Sequence, residues 1–276
     1  MSNFALRLHA YQNNLSDKEN ELAQYLLKNQ NEVSHSTISE LSQKTGISTA
    51  TISRFAKSLG YDSFQDLKIN LVQTDTDDNL FVEISPNDSP KTIAKKTFAS
   101  NIDALRATED TLNDADLKKC VDLILQAKHV ALFGLGASNV VALDGYHKFL
   151  RTTIDVIYVE DFHMQLMNAA RLTSNDVMIL ISHSGENRDA IALAKLAQSR
   201  QTPIILITSS ANSTLAHIAD VKLVSIAEES RYRTEALHAL IAQISIIDAL
   251  FMMTAIKTDR KVALEIRQEI NKTRSN

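Results

Sequence analysis

The chain is poor in the features that mark secreted and membrane proteins. Its 276 residues include one cysteine and three prolines, and no tryptophan. A single cysteine, Cys120, cannot form an internal disulfide, so nothing suggests secretion. The N-terminus lacks the apolar core of a signal peptide, and no apolar run reaches the roughly 20 residues that cross a bilayer. The sequence therefore predicts a cytoplasmic protein without a membrane segment.

The chain also lacks an excess of positive charge. Lys and Arg together number 29, against 33 Asp and Glu, so the formal net charge is −4. The protein as a whole is therefore not a polycation, and any contact with nucleic acid must come from a local patch. Its first 73 residues are balanced as well, because seven basic side chains face seven acidic ones.

The chain divides into three stretches that differ in composition and in residue pattern. Residues 1–76 show short helical patterns and are predicted to form an all-α domain. Residues 77–91 are acidic and polar and hold two of the three prolines, which is typical of a linker. Residues 92–276 alternate helices with five short apolar runs, which begin near residues 129, 155, 176, 202 and 220. This alternation predicts an α/β domain with a parallel sheet covered on both faces.

Helix-start signals recur in the first domain. Ser16 with Glu19, and Thr37 with Glu40, each match a capping box, in which a hydroxyl and a carboxylate satisfy free N–H groups. Gly46 suits the left-handed residue that ends a helix, and Ser48 is a plausible cap for the next one. Two short helices joined by a tight turn are therefore expected between residues 37 and 59.

The second of these helices has a small, polar and basic outer face. At 3.6 residues per turn, the face opposite its apolar stripe carries the candidate DNA-contacting residues. These are Thr49, Ala50, Ser53, Arg54 and Lys57. Such a pair of helices describes a helix-turn-helix, whose second helix enters the major groove. On the pattern alone, an ordinary helical hairpin with a solvated face is an equal alternative.

The run from Ile38 to Leu71 resembles the N-terminal helix-turn-helix of the RpiR family of bacterial sugar-responsive regulators. The similarity rests on three short motifs: Ser48-x-x-Thr-Ile-Ser-Arg-Phe55, Lys57-x-Leu-Gly-Tyr61 and Phe64-x-x-Leu-Lys68. The resemblance implies binding to double-stranded DNA. By analogy, it implies that Arg54 and Lys57 contact the duplex.

In the second domain, polar clusters follow three of the apolar runs. They are Gly134-Leu-Gly-Ala-Ser138, Ser182-His-Ser-Gly-Glu-Asn187 and Thr208-Ser-Ser210. Ligands of parallel α/β sheets bind at the carboxyl ends of strands. The first two clusters lead into helix N-termini, where free N–H groups and the helix dipole favour an anion. Each serine alone is more typical of a helix cap, but two such clusters at equivalent strand ends indicate a phosphate site.

Other sites fit the residues less well. A nucleotide P-loop would need Gly-Lys-Ser/Thr, which is absent, and Ser184 does not lie in the Gly-x-Ser-x-Gly of a nucleophile elbow. The segment Gly134-x-Gly-x-x-Asn139 lacks the third glycine of a dinucleotide fingerprint. Glu160 nevertheless stands where a ribose-binding acid would be, so NAD binding stays a weaker alternative. No resident cofactor or metal is expected.

Together, the Ser182–Asn187 loop, the Gly134–Ser138 loop and the run Ser213-x-Leu-Ala-x-x-Ala-Asp220 resemble the sugar isomerase (SIS) domain, from about Lys118 to Ile256. The resemblance implies a five-stranded parallel αβα sandwich that binds phosphosugars. The effector positions it implies, with neighbouring candidates, are Gly136, Ser138, His163, Ser182, Ser184, Gly185, Glu186 and Asn187. Where the family usually has Ser-Arg, this chain has Ala239-Leu240, which leaves the identity of the sugar open.

SIS domains occur in isomerases, in lyases and in regulators. The candidate general acid–base groups are Glu186, His163 and Glu228 or Glu229, but no catalytic pair emerges from spacing, so no catalytic residue is assigned. A helix-turn-helix has no use in a free enzyme. The sequence therefore predicts a phosphosugar-controlled regulator, expected to repress genes of carbohydrate catabolism. It is expected to bind an inverted-repeat operator as a homodimer or homotetramer. An SIS isomerase or lyase with an accessory helical domain is the alternative.

Overall fold

The computed structural model describes residues 4, 7–8, 15–72, 84–226 and 235–274. The chain divides into two compact units, residues 1–107 with 226–233, and residues 108–225 with 234–276. The sequence-based boundaries at residues 76 and 92 stay predictions, and the helix that begins at Pro90 is grouped with the first unit instead of the second. Part of the predicted linker 77–91 lies outside the described residues.

Helices build the described part of the first unit. They are α1 (Asp17–Lys28), α2 (Gln30–His35), α3 (Ile38–Thr45), α4 (Thr49–Ser58), α5 (Phe64–Val72) and α6 (Pro90–Glu109). Leu22 and Leu26 of α1 are fully buried with Ile52 and Phe55 of α4, so the stripes at helical spacing form one core. The all-α prediction for this unit is confirmed.

Both predicted capping boxes are present. The Ser16 N–H and hydroxyl donate to Glu19 Oε2 over 2.9 and 2.7 Å. The Thr37 N–H donates to Glu40 over 2.7 Å, and the Glu40 N–H donates to the Thr37 hydroxyl over 3.2 Å. Each box satisfies N–H groups that have no partner within the helix, so α1 and α3 begin where the sequence predicts.

The turn between α3 and α4 also follows the sequence. Gly46 has φ +69°, a left-handed conformation that glycine adopts without the steric cost of a Cβ. The Ser48 hydroxyl then accepts the Thr51 N–H over 3.2 Å and caps α4. These two caps fix the entry of α4, the predicted recognition helix.

The start of α6 lies at the end of the predicted linker. The Ser89 hydroxyl accepts the Thr92 N–H over 3.2 Å. Pro90 occupies the first helical position, where the missing N–H of proline costs nothing. The proline that suggested a linker therefore begins a helix.

The second unit is a five-stranded sheet with helices on both faces. Its elements are α7 (Asp114–Gln126), β1 (Val130–Gly134), α8 (Ala137–Phe149), β2 (Val156–Tyr158), α9 (Phe162–Ala169), β3 (Val177–Ile181), α10 (Arg188–Ser199), β4 (Ile204–Thr208), α11 (Thr214–Ile218), β5 (Val221–Val224), α12 (Glu235–Ala255) and α13 (Arg260–Arg274). The strand order is β2-β1-β3-β4-β5, and all four pairings are parallel. The predicted parallel αβα sandwich is confirmed.

Two hydrophobic cores sandwich the sheet. Alternate strand side chains, such as Leu132 and Ile179, pack with α7, α8 and α12 on one face. Their neighbours, such as Phe133 and Leu180, pack with α9, α10 and α11 on the other. Strands buried on both sides need continuous apolar runs, which explains why the sequence shows no alternation in them. Cys120 is buried in the first core, and this burial raises the pKa of its thiol to about 12.

The amino end of β3 is held by a buried carboxylate. Asp176 is 5% exposed, accepts the Thr173 N–H and hydroxyl over 2.8 Å each, and lies 2.7 Å from His129 Nδ1. Burial raises the pKa of Asp176, but the hydrogen bonds from Thr173 and His129 outweigh it, so the net pKa is lowered. Asp176 therefore ties β3 to the start of β1.

We expect Asp176→Asn to lower the free energy of unfolding by about 1–3 kcal/mol at pH 7, because the charged acceptor of buried donors is lost. Since the folded pKa lies below the unfolded one, this stabilisation is present above the unfolded pKa, near 4, and is lost as pH falls through the folded pKa. Urea titrations between pH 7 and pH 2 should show the two curves converging at low pH. A constant difference across that range would contradict the assignment.

No helix among the described residues is long and apolar enough to cross a membrane.

Candidate functional site

The two predicted phosphate loops meet at one point of the sheet. Gly134, the last residue of β1, is in register with Ile181, the last residue of β3. The chain leaves β1 into α8 on one face of the sheet, and leaves β3 into α10 on the other. This divergence of neighbouring strands is the topological switch point where open α/β sheets bind ligands.

The loop after β1 leaves the start of α8 uncapped by a side chain. Gly136, at the N-cap position, has φ +57° and ψ −125°, a conformation that favours glycine. Gly134 lets the end of β1 lie close against the start of α8, because a Cβ at Gly134 would lie 2.5 Å from the Ser138 carbonyl oxygen. The Ser138 and Asn139 N–H groups donate to the Leu135 and Gly136 carbonyls over 3.2 and 3.0 Å. The positive end of the helix dipole and the remaining N–H groups of the first turn still favour an anion at the start of α8.

Two serine hydroxyls flank this helix end. Ser138 and Ser182 are 7% and 5% exposed, and among the described residues neither hydroxyl makes a hydrogen bond. Both hydroxyls can therefore donate to a ligand or a water molecule that binds here. Ser184 is exposed, and its oxygen accepts the Glu186 N–H over 3.2 Å, which leaves its own proton to donate.

The loop after β3 is fastened to the loop after β4. The His183 carbonyl accepts the Ser209 N–H over 2.9 Å and the Thr208 hydroxyl over 3.1 Å. Gly185 has φ +65°, and a Cβ there would lie 2.0 Å from Ser213 Oγ. These contacts hold the loop in one shape before any ligand binds.

Glu186 and Asn187 both have structural partners. The Glu186 carboxylate accepts the Thr214 N–H and hydroxyl over 2.7 Å each, so it holds the start of α11. Asn187 Oδ1 accepts the Asp189 and Ala190 N–H groups over 2.9 and 3.0 Å and caps α10. The Asn187 amide nitrogen still has protons to donate. Effector contacts by these two residues remain predictions.

The polar residues past β2 include one that the sequence analysis did not single out. His163 is exposed in the first turn of α9. Gln165, fully buried, donates through Nε2 to the carbonyls of Gly134 and Val159 over 3.0 Å each. It therefore fixes the end of β1 against the segment that leads to His163. In the sequence, the available signal for Gln165 was a single glutamine among apolar residues of one helix.

A second buried polar group lies in α12. Gln243 is 1% exposed and donates to Ser225 Oγ over 3.3 Å, and Ser225 lies 2.7 Å from Ser209 Oγ. In the same helix, Ala239 is fully buried and Leu240 packs against the core. The departure from the family's Ser-Arg thus replaces polar groups with hydrophobic packing.

The outer face of α4 is open to solvent. Thr49, Ala50 and Lys57 are exposed, Ser53 is half-buried, and the Arg54 side chain is 72% exposed. Lys57 forms no ion pair among the described residues.

Two other basic side chains of this unit are engaged elsewhere. Arg7 is 4% exposed, donates to the Gly60 carbonyl over 3.1 Å and lies over the Tyr61 ring. Lys68 donates to the Ser36 carbonyl over 2.8 Å. The outer face of α4 thus presents small, polar and basic side chains, the types that contact the bases and phosphates of a duplex.

Fold and sites together define a class of protein, a transcriptional regulator with a helix-turn-helix and a sugar isomerase domain. Residues 2–78 match the family model described as "Helix-turn-helix domain, rpiR family", and residues 123–253 match the SIS domain. The chain belongs to the RpiR family of transcriptional regulators. It is 31% identical to an HTH-type transcriptional regulator of Thermotoga maritima, over 94% of this chain and 92% of that one.

Further relatives agree with this membership. The HTH-type transcriptional regulator HexR of Escherichia coli is 30% identical, over 90% of this chain and 86% of the relative. Among solved structures, the Vibrio vulnificus NanR protein complexed with ManNAc-6P shares the fold, with a TM-score of 0.63 and 23% identity over 99% of this chain and 100% of that one. The sugar isomerase domain of an RpiR factor from Sphaerobacter thermophilus has a TM-score of 0.58 and 25% identity, over 65% of this chain and 98% of that one.

Proposed function

We propose that this regulator binds an operator through α4 and that a phosphorylated sugar at the β1–β3 switch point controls the binding. One observation carries the effector half: two largely buried serines, whose hydroxyls make no hydrogen bond among the described residues, lie beside a helix N-terminus that no side chain caps. Hydroxyl and backbone N–H donors converging on a positive helix end are the groups that hold a phosphate monoester. The resemblance to a structure complexed with a phosphosugar supports the same ligand class.

The remaining effector residues complete the proposed site. Ser184 and the Asn187 amide donate to the phosphate, while Gly136 and Gly185 allow close backbone approach. His163, exposed in α9, faces the sugar. Glu186 accepts a sugar hydroxyl through the lone pairs that Thr214 leaves free, since a carboxylate has about four such sites.

The regulatory output follows from linkage. An effector changes operator affinity only if it binds one conformation of the protein better than another. We propose repression of carbohydrate catabolism genes, relieved when the phosphosugar accumulates. An inverted-repeat operator read by a homodimer or homotetramer doubles the contacts of one small α4 face. The exposed face of α13 offers Leu264 and Ile270 to such an assembly.

The proposal is tested by selecting an operator from a random duplex pool with the wild-type protein. Its affinity is then titrated with a panel of sugar phosphates, including amino-sugar phosphates and phosphorylated sugar acids, with the unphosphorylated sugars and NAD as controls. We expect operator affinity to change with one phosphosugar and not with its unphosphorylated form. A response to NAD alone would instead support a nucleotide sensor.

The DNA face makes a separate prediction. Arg54→Ala should weaken operator binding by about 1–3 kcal/mol and blur the sequence preference, because a base contact is lost. Lys57→Ala should weaken all sequences alike and reduce the slope of log affinity against log salt by about one unit, because a phosphate contact is lost. Fluorescence anisotropy on operator and scrambled duplexes measures both. Wild-type behaviour of both variants would show that another surface enters the groove.

An SIS isomerase or lyase with an accessory helical domain is the second candidate, because several proteins that share the fold are described as phosphosugar isomerases. Aldose–ketose isomerisation needs a base and a ring-opening acid aimed at the substrate. Glu186 is held by Thr214, so it is poorly placed to move a proton. If NMR showed that the protein converts the phosphosugar found in the operator titration, the result would favour the enzyme.

A further inference from the structure

We infer that Glu19 is a positioning residue for DNA recognition: it holds the Nε side of Arg54 so that the two terminal amino groups face the bases. This inference rests on the proposed DNA face and names a residue of α1, outside the recognition helix. Glu19 Oε1 lies 3.9 Å from Arg54 Nε, an electrostatic contact longer than a hydrogen bond.

The two partners differ strongly in exposure. The Glu19 side chain is 11% exposed, whereas that of Arg54 is 72% exposed. The carboxylate is therefore fixed and largely removed from water, while the guanidinium reaches out from α4. A charge pair with one buried member is screened less by salt than a pair between two exposed side chains.

The capping box explains why the carboxylate cannot swing away. Its Oε2 atom accepts the Ser16 N–H and hydroxyl over 2.9 and 2.7 Å. The other oxygen, Oε1, is thereby directed toward Arg54. The Glu19 side chain thus caps α1 and also places a negative charge beside Arg54 of α4.

The geometry of arginine gives the contact its consequence. A guanidinium carries five N–H donors in a planar fork, and guanine is read by two of them. A carboxylate near Nε restricts rotation of the plane and leaves the terminal groups free. Preorganising an arginine in this way raises sequence discrimination, because less side-chain entropy is lost on binding the correct base.

Glu19→Gln tests this inference, because glutamine also completes a capping box and only the charge is removed. The chain offers a matched control in Glu40→Gln, which removes the same charge from the capping box of α3. The Glu40 carboxylate is bound by Thr37 and makes no ion pair with Arg54. Thermal unfolding of each variant checks that the helices are retained.

The measured quantity is the ratio of affinities for the selected operator and a scrambled duplex of equal length. We expect Glu19→Gln to lower this ratio about threefold to fivefold, the size that an ion pair of up to about 1 kcal/mol allows. Glu40→Gln should leave the ratio unchanged. In an Arg54→Ala background, Glu19→Gln should have no further effect, and Arg54→Lys should lower the ratio even with Glu19 present, because lysine lacks the fork.

The outcomes separate this inference from the proposed function. Equal effects of Glu19→Gln and Glu40→Gln, or additivity of Glu19→Gln with Arg54→Ala, would overturn the role of Glu19 while the DNA face stands. An Arg54→Ala variant with the wild-type affinity ratio would overturn the assignment of Arg54 as a base-reading residue, and the inference with it.

Discussion

Loss of the effector response, with operator binding kept, is the expected result of replacing Ser182 and Ser184 together by alanine. Each hydroxyl donates one charge-assisted hydrogen bond to the proposed phosphate, and such a bond contributes about 1.5–3 kcal/mol. Ser184→Ala alone should therefore reduce effector affinity roughly tenfold to a hundredfold. The double variant should lose more, although the two effects need not add because both serines contact one group.

The measurement is operator binding titrated with the phosphosugar that the wild-type protein answers. Ser210→Ala is a suitable control, because Ser210 follows β4 and belongs to neither proposed phosphate loop. An unchanged response in the double variant would refute the assigned phosphate site. Loss of operator binding without effector would show that these serines support the fold instead.

Gly185→Ala should destabilise the protein by about 2–5 kcal/mol, since two separate costs coincide at this position. A φ of +65° costs a residue with a Cβ about 1–2 kcal/mol. The added Cβ would also lie 2.0 Å from Ser213 Oγ and 2.4 Å from Ser213 Cβ, and overpacking of this kind costs about 1–3 kcal/mol. Urea unfolding of the purified variant measures the sum.

A second substitution separates the two costs. Ser213→Gly removes both clashing atoms, and glycine at an N-cap costs only a few tenths of a kcal/mol relative to serine. The double variant should therefore regain the stability that the clash costs, while the cost of the positive φ remains. If Ser213→Gly restored no stability to the Gly185→Ala variant, this result would contradict the close contact between Gly185 and Ser213.

The sequence by itself determined where the elements begin and end. The capping boxes at Thr37 and Ser16, the left-handed Gly46 and the continuous apolar strands are local signals, and local chemistry decides them in any context. The motifs of the helix-turn-helix and of the SIS loops also identified the family, because they are short and specific. Pro90 was ambiguous, since proline suits both a linker and the first position of a helix.

The tertiary structure decided which polar side chains have no structural partner and can therefore bind a ligand. In the sequence, Ser138, Glu186 and Asn187 look alike as strand-end polar residues. In the fold, Glu186 and Asn187 are bound by backbone N–H groups, whereas the Ser138 hydroxyl makes no hydrogen bond among the described residues.

The same holds for residues that the motifs do not include. Gln165 reaches the end of β1 across 31 residues of chain, and Glu19 reaches Arg54 across 35. Partners far apart in sequence are set by how helices and strands pack, and no spacing rule along the chain contains that information.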